Sequence, residues 1–212
     1  MATIYHWIWA FFVSLLIFTL FFLYTLYTGD KPNTQTLNSV AASTGLTVVI
    51  LSFAIGNIAF FFPLFAKFIK YRKETGLTGF FIILSHITLT LLLLQAIFPF
   101  PASYIHGKSL LSFITALLAT GIVTLMALVS NTTAIKMLGK WWRRILRLGY
   151  IAVISGLLHM TLRETGSWKE YSQNLMEPPP LSIIILWFGT WTIILRICVY
   201  LMTKNKGSIN SK

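Results

Sequence analysis

The sequence is organised as six long apolar runs separated by short polar stretches. A helix that crosses the hydrocarbon core of a bilayer needs ~20 predominantly apolar residues. The pattern predicts six membrane-spanning helices, at about residues 8–27, 46–68, 77–98, 110–130, 148–162 and 181–202. The fifth run is the shortest, and residues 138–147 before it predict an additional turn at the membrane surface. We therefore predict an all-α fold, an integral membrane six-helix bundle that forms a single domain over residues 1–212.

Two residues inside the second run disturb its apolar pattern. Pro63 lies late in the run and predicts a kink, because proline is the usual cause of a sharp bend in a helix. Asn57 lies deeper, and we expect its amide to find a hydrogen-bond partner inside the bundle.

Composition agrees with a membrane protein. The chain of 212 residues is 56% hydrophobic and only 10% charged, with a mean hydropathy of +0.77, which is far from the average of soluble domains. Cys198 is the sole cysteine, so an internal disulfide and a dithiol relay are both excluded.

The net charge of +12 would be compatible with nucleic-acid binding, but its distribution is not. The Lys and Arg residues cluster in short loops beside apolar runs, where they set membrane orientation and meet anionic lipid. Four bases lie on one side, Lys31, Lys108, Arg163 and Lys169, and Arg196 lies within the sixth run. The twelve on the other side are Lys67, Lys70, Arg72, Lys73, Lys136, Lys140, Arg143, Arg144, Arg147, Lys204, Lys206 and Lys212. This asymmetry predicts cytoplasmic N- and C-termini. The expected location is a membrane of the bacterial inner or plasma type. Lipid is the expected partner, and nucleic acid is excluded.

Two histidines lie inside apolar runs, His86 in FFIILSHITLTLLLL and His159 in LGYIAVISGLLHMTL. An ionisable side chain within the bilayer is costly and usually functional. His86 follows Gly76 by ten residues and His159 follows Arg147 by twelve, which is roughly 15 and 18 Å of helix. We expect both near the middle of a core about 30 Å thick, on parallel helices, where two imidazoles could hold one haem iron. Gly156, one turn before His159, is expected to leave room for a flat macrocycle.

Other interpretations of the histidines remain. Each ring could simply hydrogen-bond to a neighbouring helix. Zinc is less favoured, because a zinc site requires three or four protein ligands. No Asp, Glu or Cys lies at the expected depth of the two histidines. His6 and His106 fall near the two surfaces and are interpreted as ordinary interfacial residues. The sequence predicts no catalytic residue.

The segments that carry the two histidines resemble a known family. YRKETGLTGFFIILSH and NTTAIKMLGKWWRRILRLGYIAVISGLLH are similar to the ferric reductase-like transmembrane domain, and most of all to the haem-binding membrane subunits of the bacterial methionine-sulfoxide reductase system (MsrQ/YedZ-like). The resemblance implies a six-helix bundle that holds b-type haem between His86 and His159 as axial ligands. It also implies that electrons pass across the membrane to metal ions, oxygen or a partner protein.

One position departs from the family pattern. The family commonly has a further histidine in a Leu-His-Arg-Leu-like stretch, where this chain has Leu146. Leucine cannot bind iron, so one haem b is expected. The chain has no Gly-rich nucleotide fingerprint, and we expect no flavin domain. The expected electron donor is a separate flavoprotein or membrane quinol, and the expected acceptor is a periplasmic or other extracytoplasmic protein.

The leading functional hypothesis is an electron-transfer subunit of an oxidoreductase rather than a complete enzyme. One alternative is a non-redox membrane protein, either a small transporter or an assembly scaffold. Its support is a set of polar residues inside the runs, Asn57, Thr88, Thr90, Gln95 and Thr115. Another alternative is a degenerate family member that no longer binds haem. In that case, the loss of the histidine at Leu146 would be a first step towards the loss of haem.

Overall fold

A computed structural model describes the backbone of residues 2–209 and the side chains of residues 4–204. The described residues contain helices and no strands, and six of the helical segments are long and apolar enough to cross a membrane. The prediction of an all-α, multi-pass membrane bundle is therefore confirmed. Of the predicted basic tail, Lys212 and the side chain of Lys206 lie outside the described residues.

Nine α-helices are present in this part of the chain. They are α1 (Ala2–Tyr27), α2 (Thr34–Phe61), α3 (Arg72–Leu92), α4 (Gly107–Leu128), α5 (Thr132–Leu138), α6 (Lys140–Arg147), α7 (Gly149–Arg163), α8 (Thr165–Gln173) and α9 (Leu181–Ile209). Two 3₁₀ helices span Pro63–Tyr71 and Ala102–Tyr104. The third span combines the first 3₁₀ helix with α3, and the fifth combines α6 with α7.

The second helix ends at Phe61, and the predicted kink at Pro63 is wrong. Pro63 instead begins the 3₁₀ helix, and Phe62 between the two helices is extended, with φ −126° and ψ 95°. Proline has no N–H to continue an α-helix and disfavours helical geometry in the residue before it. The chain therefore breaks where a bend was expected.

The third helix is shifted towards its N-terminus, to Arg72–Leu92 instead of residues 77–98. Gln95 stabilises the early stop. Its amide nitrogen donates to the Leu91 carbonyl at 2.7 Å, and its oxygen accepts from the Phe100 N–H at 2.9 Å. One side chain thus supplies partners at the helix end and in the turn that follows.

The centre of the bundle is α2, which packs against α1, α3, α7 and α9, while α4 packs against α7. The approach of α2 and α3 depends on two glycines. A Cβ on Gly79 would lie 2.8 Å from Val49 Cγ2 and 2.9 Å from its backbone nitrogen, and one on Gly45 would lie 2.8 Å from Ile83 Cγ1. Small residues allow such close contact of membrane helices.

The core below this contact joins α2, α7 and α9. It consists of six buried residues, Val49, Ile50, Phe53, Val153, Leu157 and Ile185. Beside it, Asn57 donates to the Thr192 carbonyl at 3.1 Å and accepts from the Tyr150 hydroxyl at 3.1 Å. The expectation that Asn57 has partners within the bundle is confirmed.

Because successive spans alternate in direction, the bundle has two ends of different character. At one, called the histidine end, α1, α3 and α7 finish and α2, α4 and α9 begin. At the other, called the basic end, lie the first 3₁₀ helix, α5 and α6, together with most of the Lys and Arg residues.

Candidate metal centre at the histidine end

His86 and His159 lie on α3 and α7, and both are closer to the histidine end than the sequence predicted. His86 is six residues before Leu92, and His159 is four before Arg163, which is about 9 and 6 Å of helix. The difference arises because α3 begins five residues before Leu77 and α6 precedes α7, so both spans extend further towards the basic end.

The His86 ring is held by a side chain of α2. Its Nδ1 lies 3.0 Å from Asn38 Oδ1 and 3.2 Å from the Asn38 carbonyl oxygen. Both neighbours are acceptors, so Nδ1 carries the hydrogen. Asn38 is only 5% exposed and donates to Thr90 Oγ1 at 2.9 Å, while the Thr90 hydroxyl donates to the His86 carbonyl at 2.9 Å. The three residues form a closed ring of hydrogen bonds that fixes the imidazole.

The His159 ring is held by the backbone of α4. Its Nδ1 lies 2.8 Å from the Ser112 carbonyl oxygen and 2.9 Å from Ser112 Oγ. The carbonyl can only accept, so here too Nδ1 carries the hydrogen. The Ser112 hydroxyl donates to the His159 carbonyl at 3.5 Å, and Ser112 is buried.

The two rings therefore share one chemical state. Each imidazole donates through Nδ1, and in the neutral ring this leaves the Nε2 lone pair for a ligand or a metal. Metal-bound histidines almost always donate their other nitrogen to such an acceptor, which fixes both tautomer and ring orientation. This donor set fits an iron with two axial imidazoles.

The same end carries the Arg163 guanidinium and the half-buried phenol of Tyr104. The Arg163 guanidinium lies over the Phe98 ring, 5.1 Å from its centroid. Burial raises the pKa of Tyr104, and the charge of Arg163 opposes this only in part. The Tyr104 phenol is therefore neutral, and Arg163 supplies positive charge at this end of the bundle.

The other two histidines, and the glycine expected beside the haem, take no part in the hydrogen bonds that hold the His86 and His159 rings. His6 is at the basic end, with Nδ1 4.0 Å from Glu74 Oε2, and His106 is the N-cap residue of α4. Gly156 lies against α2, where a Cβ would be 3.0 Å from Leu46 Cδ1. Its missing side chain thus serves helix packing, and the expected clearance for a macrocycle is not at this position. No cluster of three His, Cys, Asp or Glu side chains suited to a metal occurs among the described residues.

Two residues that hold the rings were not found from the sequence. Asn38 lies in the polar stretch that was interpreted as a loop, and Ser112 lies in the first turns of the fourth apolar run. A small polar residue facing the bundle near a helix end, at the expected level of an intramembrane histidine, is the signal that could have identified them.

Comparison with known proteins agrees with the resemblance carried by the two segments. No protein-family model matches the chain. It is 33% identical over 96 residues to the protein-methionine-sulfoxide reductase heme-binding subunit MsrQ of Agrobacterium fabrum, covering 44% of this chain and 43% of that protein. It is 24% identical over 130 residues to the protein of the same name from Brucella anthropi, covering 57% and 53%. The chain spans about half the length of the curated relatives it matches, and its predicted similarity to MsrQ-like heme-binding subunits is confirmed.

Proposed function

We propose that the protein is a membrane cytochrome subunit in which His86 and His159 are the axial ligands of one b-type haem. A haem iron cycles between ferric and ferrous states and so carries single electrons. The observation that carries the proposal is the matched state of the two rings, in which both Nδ1 atoms are occupied and both Nε2 atoms are left for iron.

The chain's own residues have separable tasks in this proposal. Asn38 and Ser112 hold the ligands in the correct tautomer and orientation, which is the usual task of groups that contact metal ligands. Arg163 would supply a cation for the propionate carboxylates of a haem. The apolar runs that contain both histidines would limit the access of water and so help to set the potential.

The proposal includes a direction of electron flow. The excess of Lys and Arg at the basic end supports a cytoplasmic position for that end. A separate flavoprotein or membrane quinol would then deliver electrons, and an acceptor protein outside the cytoplasm would receive them from the histidine end. Both curated relatives are named as subunits of a methionine-sulfoxide reductase, which supports an acceptor that is a separate protein.

The test is an absorption spectrum of the purified protein, oxidised and then reduced with dithionite, after expression with ample haem. We expect a six-coordinate b-type spectrum from the wild type. His86→Ala and His159→Ala should each abolish it, because each removes one of two iron ligands. His106→Ala is the matched control, since His106 is the N-cap residue of α4 and is assigned no iron.

Two results would contradict the proposal. One is a folded wild-type protein that takes up no haem when haem is supplied, which would favour a scaffold or a family member that has lost its cofactor. The other is a six-coordinate spectrum that survives in both alanine variants, which would place the ligands elsewhere.

A further inference from the structure

A cavity opens at the basic end, far from the two histidines along the bundle. It has a volume of about 310 Å³ and lies between α2, α3, α4 and α6. Most of its wall is apolar, as shown by Val49, Leu77, Val123, Met126 and Leu146. Two cations, Arg72 and Lys73, line it together with the hydroxyl-bearing Ser52.

The interfacial helix α6 covers one side of the cavity. Trp142 lines the cavity, and its indole N–H donates to the Val129 carbonyl at 3.1 Å, which ties α6 to the end of α4. The residue before Trp142, Trp141, packs against Arg144, whose guanidinium lies 4.4 Å from the centroid of the Trp141 ring. Tryptophan and arginine next to the start of a span are typical of the level where lipid headgroups lie.

Arg72 has no anionic partner in the part of the chain that the structure describes. Its guanidinium lies over the Phe53 ring, 5.4 Å from the ring centroid. A second arginine, Arg196, lies over the Tyr150 ring, also 5.4 Å from the centroid. Among the described residues, neither guanidinium has a carboxylate within 4.0 Å. A charge held in an apolar surrounding without a counterion is costly.

The acidic residues of the chain do not supply that counterion. Four of the five are near the histidine end, Asp30, Glu164, Glu170 and Glu177. The fifth, Glu74, follows Lys73 directly, but it does not line the cavity and its Oε2 lies 4.0 Å from His6 of α1. Residues 4–204 thus supply no carboxylate to balance Arg72 and Lys73, and an external anion would complete the site.

We propose that this cavity binds an anionic phospholipid, with the headgroup phosphate at Arg72 and Lys73 and an acyl chain along the apolar wall. Arginine presents a planar set of donors that matches a phosphate, and lysine adds a point charge. A second haem does not fit the donor set, because no histidine or cysteine lines the cavity and Leu146 is part of its wall. The site is independent of the histidine pair and does not rest on haem binding there.

The experiment measures thermal unfolding of the detergent-purified full chain with added lipid. Phosphatidylglycerol should raise the midpoint by several degrees, because a ligand that binds only the folded state stabilises it. Phosphatidylcholine with the same acyl chains and inorganic phosphate alone serve as the comparison arms, and neither should match that shift. The same titrations followed by native mass spectrometry give the apparent affinity.

Three variants assign the effect to the cavity. Lys73→Gln should weaken phosphatidylglycerol binding about tenfold, the size expected for one charged hydrogen bond, and its exposed position makes it safe for folding. Leu77→Trp fills the apolar wall without removing charge and should also reduce binding. Lys67→Gln is the control, since Lys67 lies at the same end but outside the cavity, and its binding should equal that of the wild type.

Several outcomes would overturn this proposal. Equal stabilisation by phosphatidylcholine would remove the anion preference, and equal stabilisation by inorganic phosphate would reduce the site to a free-anion site. Wild-type affinity in Lys73→Gln would exclude the assigned headgroup position. A second haem lost on filling the cavity with Leu77→Trp would show that the cavity holds a macrocycle, whereas loss of haem in His86→Ala bears only on the proposed function.

Discussion

The two histidines reach the same state by different means, and the contrast defines what is fragile in the site. His86 depends mainly on the Asn38 side chain, whose amide is itself oriented by Thr90, because the Asn38 carbonyl is the more distant acceptor. His159 depends mainly on the Ser112 carbonyl, which belongs to the backbone of α4. A side-chain acceptor can be removed by one substitution, whereas a carbonyl in a helix persists through any substitution that keeps the helix.

The helices that bring these partners together differ as well. The Asn38 contact needs the close approach of α2 and α3 at Gly45 and Gly79. The Ser112 contact needs only the packing of α4 against α7. The His86 half of the site should therefore be more sensitive than the His159 half, both to substitution of its hydrogen-bond partner and to substitution at the distant α2–α3 contact.

The largest effect is expected from Gly79→Val, which breaks the approach of α2 and α3. The new side chain would meet the backbone nitrogen of Val49, which cannot move away as a side chain could. Overpacking of this kind costs about 1–3 kcal/mol or more, and it also separates Asn38 from His86. Thermal unfolding in detergent should show a clear loss of stability, with weakened haem retention.

Gly121→Ala is the control for this variant, because a Cβ on Gly121 meets nothing within 4 Å. It should leave the unfolding midpoint and the haem content close to those of the wild type. Equal midpoints for Gly79→Val and Gly121→Ala would show that the α2–α3 contact is not as tight as described.

A smaller and more local effect is expected from Asn38→Ala. The His86 Nδ1 would keep only the more distant carbonyl at 3.2 Å, and the ring would lose its fixed orientation. Substitution of such a partner of a metal ligand typically lowers metal affinity by about 10–100-fold. Haem titration of the apoprotein, followed by the b-type absorption, measures this change.

Thr47→Val provides the comparison on the same helix. Thr47 is also nearly buried, yet its hydroxyl has no hydrogen-bond partner among the described residues, so its loss should hardly change haem affinity. If Asn38→Ala titrated like Thr47→Val, the side chain of Asn38 would have no part in holding the ligand.

The helical fold was predictable because it follows from the length and apolarity of the runs. The exact ends were not. At Pro63 the hydropathy continues through residue 68, but the missing N–H and the restriction on Phe62 end the helix. At Gln95 the apolar run continues as well, and a single amide that caps the turn decides where α3 stops. Hydropathy carries no signal for either event.

The candidate site was predictable at the level of the two histidines and not of their partners. An imidazole in an apolar run is conspicuous in any sequence, whereas Asn38 sits in a polar stretch that has the composition of a loop. The shift of both rings towards the histidine end follows from the unpredicted start of α3 and from α6. The role first given to Gly156 failed for a related reason, because the side that faces α2 is set by helix packing that spacing alone does not determine.

The smallest effect is expected from Ser112→Ala, and it is the sharpest test of the contrast between the two halves. The substitution removes the hydroxyl at 2.9 Å from His159 Nδ1 but leaves the carbonyl at 2.8 Å in place. The loss of one of two shared hydrogen bonds is worth about 0.5–1.5 kcal/mol. Haem affinity should therefore fall by about 2- to 10-fold, and by less than in Asn38→Ala. The same haem titration measures both variants side by side. Should Ser112→Ala prove as damaging as Asn38→Ala, the backbone carbonyl would not be sufficient to hold His159, and the two halves of the site would be equivalent after all.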